Sequence, residues 1–180
     1  MSLNKYLSLS ILILINSCSS FNSVAGHNDN EYRLSQAVTC QTNTTPDEFI
    51  DLLKSQHGGN LISGNQGAEE DGEFTVSNPV DIWGIKVRHF SFHKGSNEDG
   101  DFTEYRAIVP ATSNTISAQS LAQIGNVPKI ADGYFYKSVG NNDLFIRQYG
   151  DDIVVSCAND VRTTRKSINR FIRNVQEKTE

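Results

Sequence analysis

Two histidines four residues apart, His89 and His93, are the first spacing in this chain that could bind a metal. On a helix that spacing presents two ligands to one ion. Here they interrupt "PVDIWGIKVRHFSFH", a run rich in β-branched and aromatic residues that reads as one strand with a change of phase. A bulge at Gly84 or Arg88 is the expected cause of that change. On a strand the two imidazoles share a face but stand roughly 13 Å apart, too far to chelate together. A second candidate is the loop "SNEDGDFTE", where Asn97, Glu98, Asp99 and Asp101 bring oxygen ligands together. It lacks the D-x-[DN]-x-[DN]-G frame and the distal glutamate of a calcium loop, and reads as a solvated turn. Asp71 and Asp132, each in a D-G-x-F sequence, could face each other if the chain is an internal repeat. No G-x-S-x-G, H-E-x-x-H or C-x-x-C occurs, and the glycine-rich stretch 58–73 carries acids where a phosphate cradle needs none. No metal, cofactor or catalytic set is therefore assigned.

Three cysteines remain to be placed: Cys18, Cys40 and Cys157. Cys18 closes "LSLSILILINSC", a run too short for a bilayer span, preceded by Lys5 and followed by small residues. It reads as an export signal. "LINSC", residues 14 to 18, resembles the lipobox of bacterial lipoproteins, with Leu14, Ile15, Ser17 and Cys18 on its pattern. The resemblance covers only these first residues. It implies cleavage before Cys18, acylation of that cysteine, and, with Ser19 beside it, an outer-membrane lipoprotein facing the periplasm or cell surface. The alternative is ordinary cleavage after Ala25 in "SVA", giving a soluble periplasmic or secreted protein. Either way Cys40 and Cys157 are left as an even pair in an oxidising compartment, so a disulfide is expected, with two buried free thiols the alternative. Cys157 ends the apolar run "DIVVSC", a setting unlike that of a nucleophilic thiolate.

Charged residues at 21% and hydrophobic residues at 37% fit a globular chain, and the 155–160 residues left after export suffice for one domain. The domain order read from sequence is a signal peptide over 1–17, a flexible tether over 18–36 and a single α+β domain over 37–180. The formal net charge is −5, yet residues 161–180 are basic, so the remaining body is strongly acidic and nucleic acid is not an expected partner.

The elements that would position any site follow from pattern. Thr45 as N-cap, Pro46 in the first turn and Glu48 as the capping-box partner begin a helix that Gly58 or Gly59 stops. "FTEYRAIV", "GYFYKSV", "DLFIRQY" and "DIVVSC" read as strands, the last three joined by tight hairpins at "GNN" and "GD". "ISAQSLAQIG" is a second helix. "RKSINRFIRNVQ" places Ile168, Phe171, Ile172 and Val175 on one stripe of a third, suited to covering a sheet. The fold class is α+β: an antiparallel sheet of five to six strands covered by two to three helices, with a tandem α-β-β-β arrangement as one option.

The functional expectation is an exported, envelope-associated binding protein. Its partner would be a protein, such as a basic secreted toxin or hydrolase that it neutralises, or an envelope assembly component. A lipid anchor on Cys18 would make the membrane contact. Trp83, Glu98, Asp99, Asp101, Tyr134 and Tyr136 are the candidate partner-binding residues. A periplasmic carrier of a small hydrophobic ligand or lipid is the alternative reading, and an enzyme the third.

Overall fold

A computed structural model describes residues 29–65, 70–97, 100–110 and 116–160. The expected export signal with Cys18, the loop acids Glu98 and Asp99, and the basic C-terminal stretch lie outside the described residues. Among the described residues eight strands form one antiparallel sheet, more than the five to six expected: β1 (Gly59–Asn65), β2 (Glu70–Ile82), β3 (Ile85–Asn97), β4 (Gly100–Pro110), β5 (Lys129–Ala131), β6 (Tyr134–Val139), β7 (Asn142–Tyr149) and β8 (Asp152–Asp160). Their spatial order is β1-β2-β3-β4-β8-β7-β6-β5. Two four-stranded meanders therefore meet along the β4–β8 seam, where nine residue pairs run from Phe102 against Asp160 to Pro110 against Asp152.

Each meander follows a helix. Helix α1 (Asp29–Val38) occupies residues 29–36, which the sequence placed in the tether, because Leu34, Ala37 and Val38 find a core to enter. Helix α2 (Pro46–Asp51) starts as its residues require. Thr45 Oγ1 accepts from the Glu48 amide at 3.3 Å, and the Glu48 carboxylate accepts from the Thr45 amide at 2.9 Å. It continues into a π-helical turn, Leu52–Gln56, and ends where Gly58 takes φ +62°. Helix α3 (Ala118–Gly125) is capped by Ser117 and stopped by Asn126 at φ +52°.

Alternation assigns the two faces of the sheet. Tyr105, Ala107 and Val109 on β4, Ile153, Val155 and Cys157 on β8, and Leu144 and Ile146 on β7 are buried in one core with Leu34, Phe49, Leu53, Phe74, Phe90 and Leu121. Within it Cys40 and Cys157 form the expected disulfide, with Cα atoms 5.1 Å apart across 117 residues of sequence. Tyr105 donates from its hydroxyl to the Thr44 carbonyl at 2.7 Å and lies against Phe49 at 4.6 Å. Burial, with the charges of Glu48 and Asp47 nearby, pushes its phenol well above the ordinary tyrosine range.

Two sequence readings change here, and the bulge falls at the second of its two expected places. The run "PVDIWGIKVRHFSFH" is a hairpin rather than one strand, because Trp83 and Gly84 both take positive φ, at 53° and 86°, and turn the chain. The bulge lies opposite Arg88, where the β2–β3 register shifts between Thr75 and Val80, and the Arg88 guanidinium binds the freed carbonyls of Val76 and Ser77. Residues 58–73, read as a flexible loop, supply β1 and the start of β2. Their glycines serve close packing. A Cβ on Gly59 would stand 2.6 Å from the Leu53 carbonyl oxygen, and one on Gly72 would stand 2.6 Å from the Phe92 ring.

Candidate functional surface

The described helices and the core lie on one side of the sheet. The opposite face is built by the alternate residues of the same strands, and cross-strand register orders them into rows. One row runs Glu73, Ser91, Arg106, Ser156, Phe145, Tyr136 from β2 to β6; the next runs Thr75, His89, Ile108, Val154, Arg147, Tyr134. Most of these side chains are half-buried, and Glu73 and His89 are exposed. Among the described residues no helix lies on this face, and in sequence it reads as ordinary polar alternation, which is why its composition matters.

At its centre is a carboxylate taken out of water. Glu104 is 8% exposed. The Arg106 guanidinium donates to its Oε2 at 2.6 Å, and Arg147 donates to Oε1 and to the Ser156 hydroxyl. Burial pushes the Glu104 carboxyl up, but the Arg147 charge, the Arg106 hydrogen bond and charge, and the Ser156 hydroxyl outweigh it. The carboxyl is held below the ordinary glutamate range. Two arginines on one carboxylate leave a net positive centre whose guanidiniums keep a quarter to a third of their side-chain surface in solvent. Around it the rings assemble. Phe145 lies 5.6 Å from the Arg147 guanidinium and 5.2 Å from the Tyr136 ring, and the Tyr136 hydroxyl donates to the buried Asp143 at 2.9 Å.

The predicted partner-binding residues divide. Tyr134 and Tyr136 stand on this face, opposite Arg147 and Phe145 in register. Trp83 sits in the β2–β3 turn and packs on Gly125 of α3, in the helical layer. Asp101 lies near the β3–β4 turn, accepting from Ser96 at 2.5 Å. Glu98 and Asp99 lie outside the described residues. Asp71 and Asp132 are not brought together: β2 and β6 are five strand spacings apart, roughly 24 Å. Asp132 instead pairs with Lys129, whose hydrogen bond and charge lower its carboxyl. The D-G-x-F sequences do mark topologically equivalent strands, the second of each meander, and Phe74 and Phe135 enter the core from them.

His89 and His93 lie on β3, His93 with its ring 5.2 Å from Phe102. Among the described residues no group of three His, Cys, Asp or Glu is placed to hold a metal ion, and no helix is long and apolar enough to cross a membrane. Sequence reasoning missed Glu104, Arg106, Phe145 and Arg147. Their signal was a pair of charged or aromatic residues at alternate positions inside strands, "EYR" on β4 and "FIR" on β7, which period-2 alternation accounts for without any site.

The described residues form an α+β fold: one antiparallel sheet, the described helices against one side, a charged and aromatic surface on the other. The chain matches no protein-family model, no curated protein and no solved structure.

Proposed function

We propose that this is an exported binding protein anchored through an acylated Cys18. It uses the open sheet face to hold a protein partner, either as an inhibitor or immunity-type module or as a component of an envelope assembly. The observation that carries the reading is the composition of that face: Arg106, Arg147, Tyr134, Tyr136 and Phe145 gathered on a rigid sheet around buried Glu104. Arg and Tyr are the residue types that dominate binding energy at protein interfaces, and they do so where the scaffold already holds their rotamers. Among the described residues sixteen Asp and Glu face nine Lys and Arg. Such a body steers toward a basic partner, as an inhibitor of a secreted toxin or hydrolase would. The Cys40–Cys157 disulfide suits an oxidising compartment.

The test is co-purification from an envelope extract at low and high salt. Wild type is expected to retain a specific partner, more weakly at high salt. Tyr136→Ala and Arg106→Ala should each weaken it by about 2 kcal/mol, roughly thirtyfold. Equal recovery on all three proteins, or no partner on any, sinks the reading. Cys18→Ala should move the protein to the soluble fraction or leave an unprocessed precursor, and wild type should take up a fatty-acid label. A mature chain beginning at Gly26 without label refutes the anchor.

A further inference from the structure

The half of the open face away from the tyrosines carries a groove that crosses the strands. It is lined by Ile62 of β1, Glu73 of β2, His89 of β3, Ile108 and Pro110 of β4, and Asp152 of β8. Ile62, Ile108 and Pro110 are its apolar members, with Glu73 and His89 between Ile62 and Ile108, and Ile62 at its rim is 58% exposed. A carboxylate stands toward each end, three strands and about four residues of rise apart, roughly 20 Å. The Glu73 carboxylate accepts from the surface hydroxyl of Ser63 at 3.1 Å. Asp152 is exposed beside Tyr149, which is itself 76% exposed.

We propose that this groove takes a basic amphipathic segment of the protein partner. One or two apolar side chains would lie against Ile62, Ile108 and Pro110, with a Lys or Arg reaching each of Glu73 and Asp152. The inference rests on the protein-binding reading above and gives the partner its chemistry. Separated acids beside the apolar Ile62, Ile108 and Pro110 favour a segment with cations at both ends of an apolar stretch, and disfavour acidic or wholly polar segments. The arginine-centred half of the face makes a different demand, so the two halves together select for a partner presenting both.

The probe is a twelve-residue synthetic peptide, three repeats of Lys-Leu-Leu-Lys, titrated into the full chain and followed through backbone amide shifts. Its counterpart with Glu for Lys is the control. Saturable shifts are expected at Ile62, Glu73, His89, Ile108 and Asp152 with the basic peptide alone. Glu73→Gln and Asp152→Asn should each weaken binding two- to fivefold. Ile108→Asp should weaken it more than tenfold. Because Ile108 sits on a central strand, Ile62→Lys at the exposed rim serves as the second variant and should also weaken binding. Equal binding of the acidic peptide, shifts confined to β6 and β7, or unchanged affinity in Ile62→Lys overturns the proposal. So does a tenfold gain in peptide affinity for the full chain carrying Arg165→Glu and Arg173→Glu, which would assign the groove to the chain's own basic C-terminal stretch. If a partner is co-purified but the basic peptide does not displace it, the groove inference fails while the function stands.

Discussion

Replacing Glu104 by Ala tests the centre of the open face. The carboxylate side chain is 11% exposed, while Arg106 and Arg147 are 33% and 25% exposed. Removing one partner of a buried ion pair costs about 3–5 kcal/mol, because the charge left behind keeps its desolvation and loses its compensation. Here both arginines retain contact with water, which places the loss near the lower limit, about 3 kcal/mol. With a urea slope of about 2 kcal/mol/M, the unfolding midpoint should fall by about 1.5 M. Glu104→Leu combined with Arg106→Leu and Arg147→Met removes the uncompensated charges as well. It should return stability to within about 1 kcal/mol of wild type, while abolishing partner binding. The same carboxyl predicts an acid dependence. Its folded value is depressed, so the stability it contributes is present above the unfolded glutamate value. That stability drains as pH falls through the lower, folded value. Wild type should therefore lose stability on acidification more steeply than Glu104→Gln. A midpoint for Glu104→Ala within about 0.3 M of wild type, or parallel acid dependences, would refute the argument that this carboxylate is paired and buried in solution.

Two further perturbations follow from the packing. The Cys40–Cys157 bridge closes a loop with a sequence separation of 117, so the chain-entropy estimate sets an upper bound of about 5 kcal/mol on what the Cys40→Ala, Cys157→Ala double variant loses; reductant should lower the wild-type melting point and leave the variant's unchanged, and equal sensitivity in both would contradict the bridge. A Cβ added at Gly125 meets the Trp83 ring at 2.6 Å, so Gly125→Ala should destabilise by about 1–2 kcal/mol despite better helix propensity. In a Trp83→Leu background the same change should become neutral or stabilising, and simple additivity of the two substitutions would show that the ring and the helix end do not touch.

The signals carried within a few residues were sufficient in the chain itself. Thr45, Pro46 and Glu48 specify a helix start because a cap closes over three residues. The strands at 134–139, 142–149 and 152–160 were legible because "GNN" and "GD" supply Gly140 and Gly150, both at positive φ, between apolar runs. Two cysteines left for one pairing indicated the disulfide. Other features depend on contacts distant in sequence. The glycines of 58–73 resemble loop residues until Leu53 and Phe92 are seen occupying the space a Cβ would fill. Helix α1 is polar by composition, and only the sheet beneath Leu34, Ala37 and Val38 makes it an element. The centre of the candidate site is of this second kind. Glu104 and Arg147 lie 43 residues apart, and they meet because β4 pairs with β8 rather than β5, a choice made by how the two meanders close one sheet over a shared core. Alternation says that each residue faces away from that core; which charges then become neighbours, and so what the surface can recognise, is decided by strand order and register.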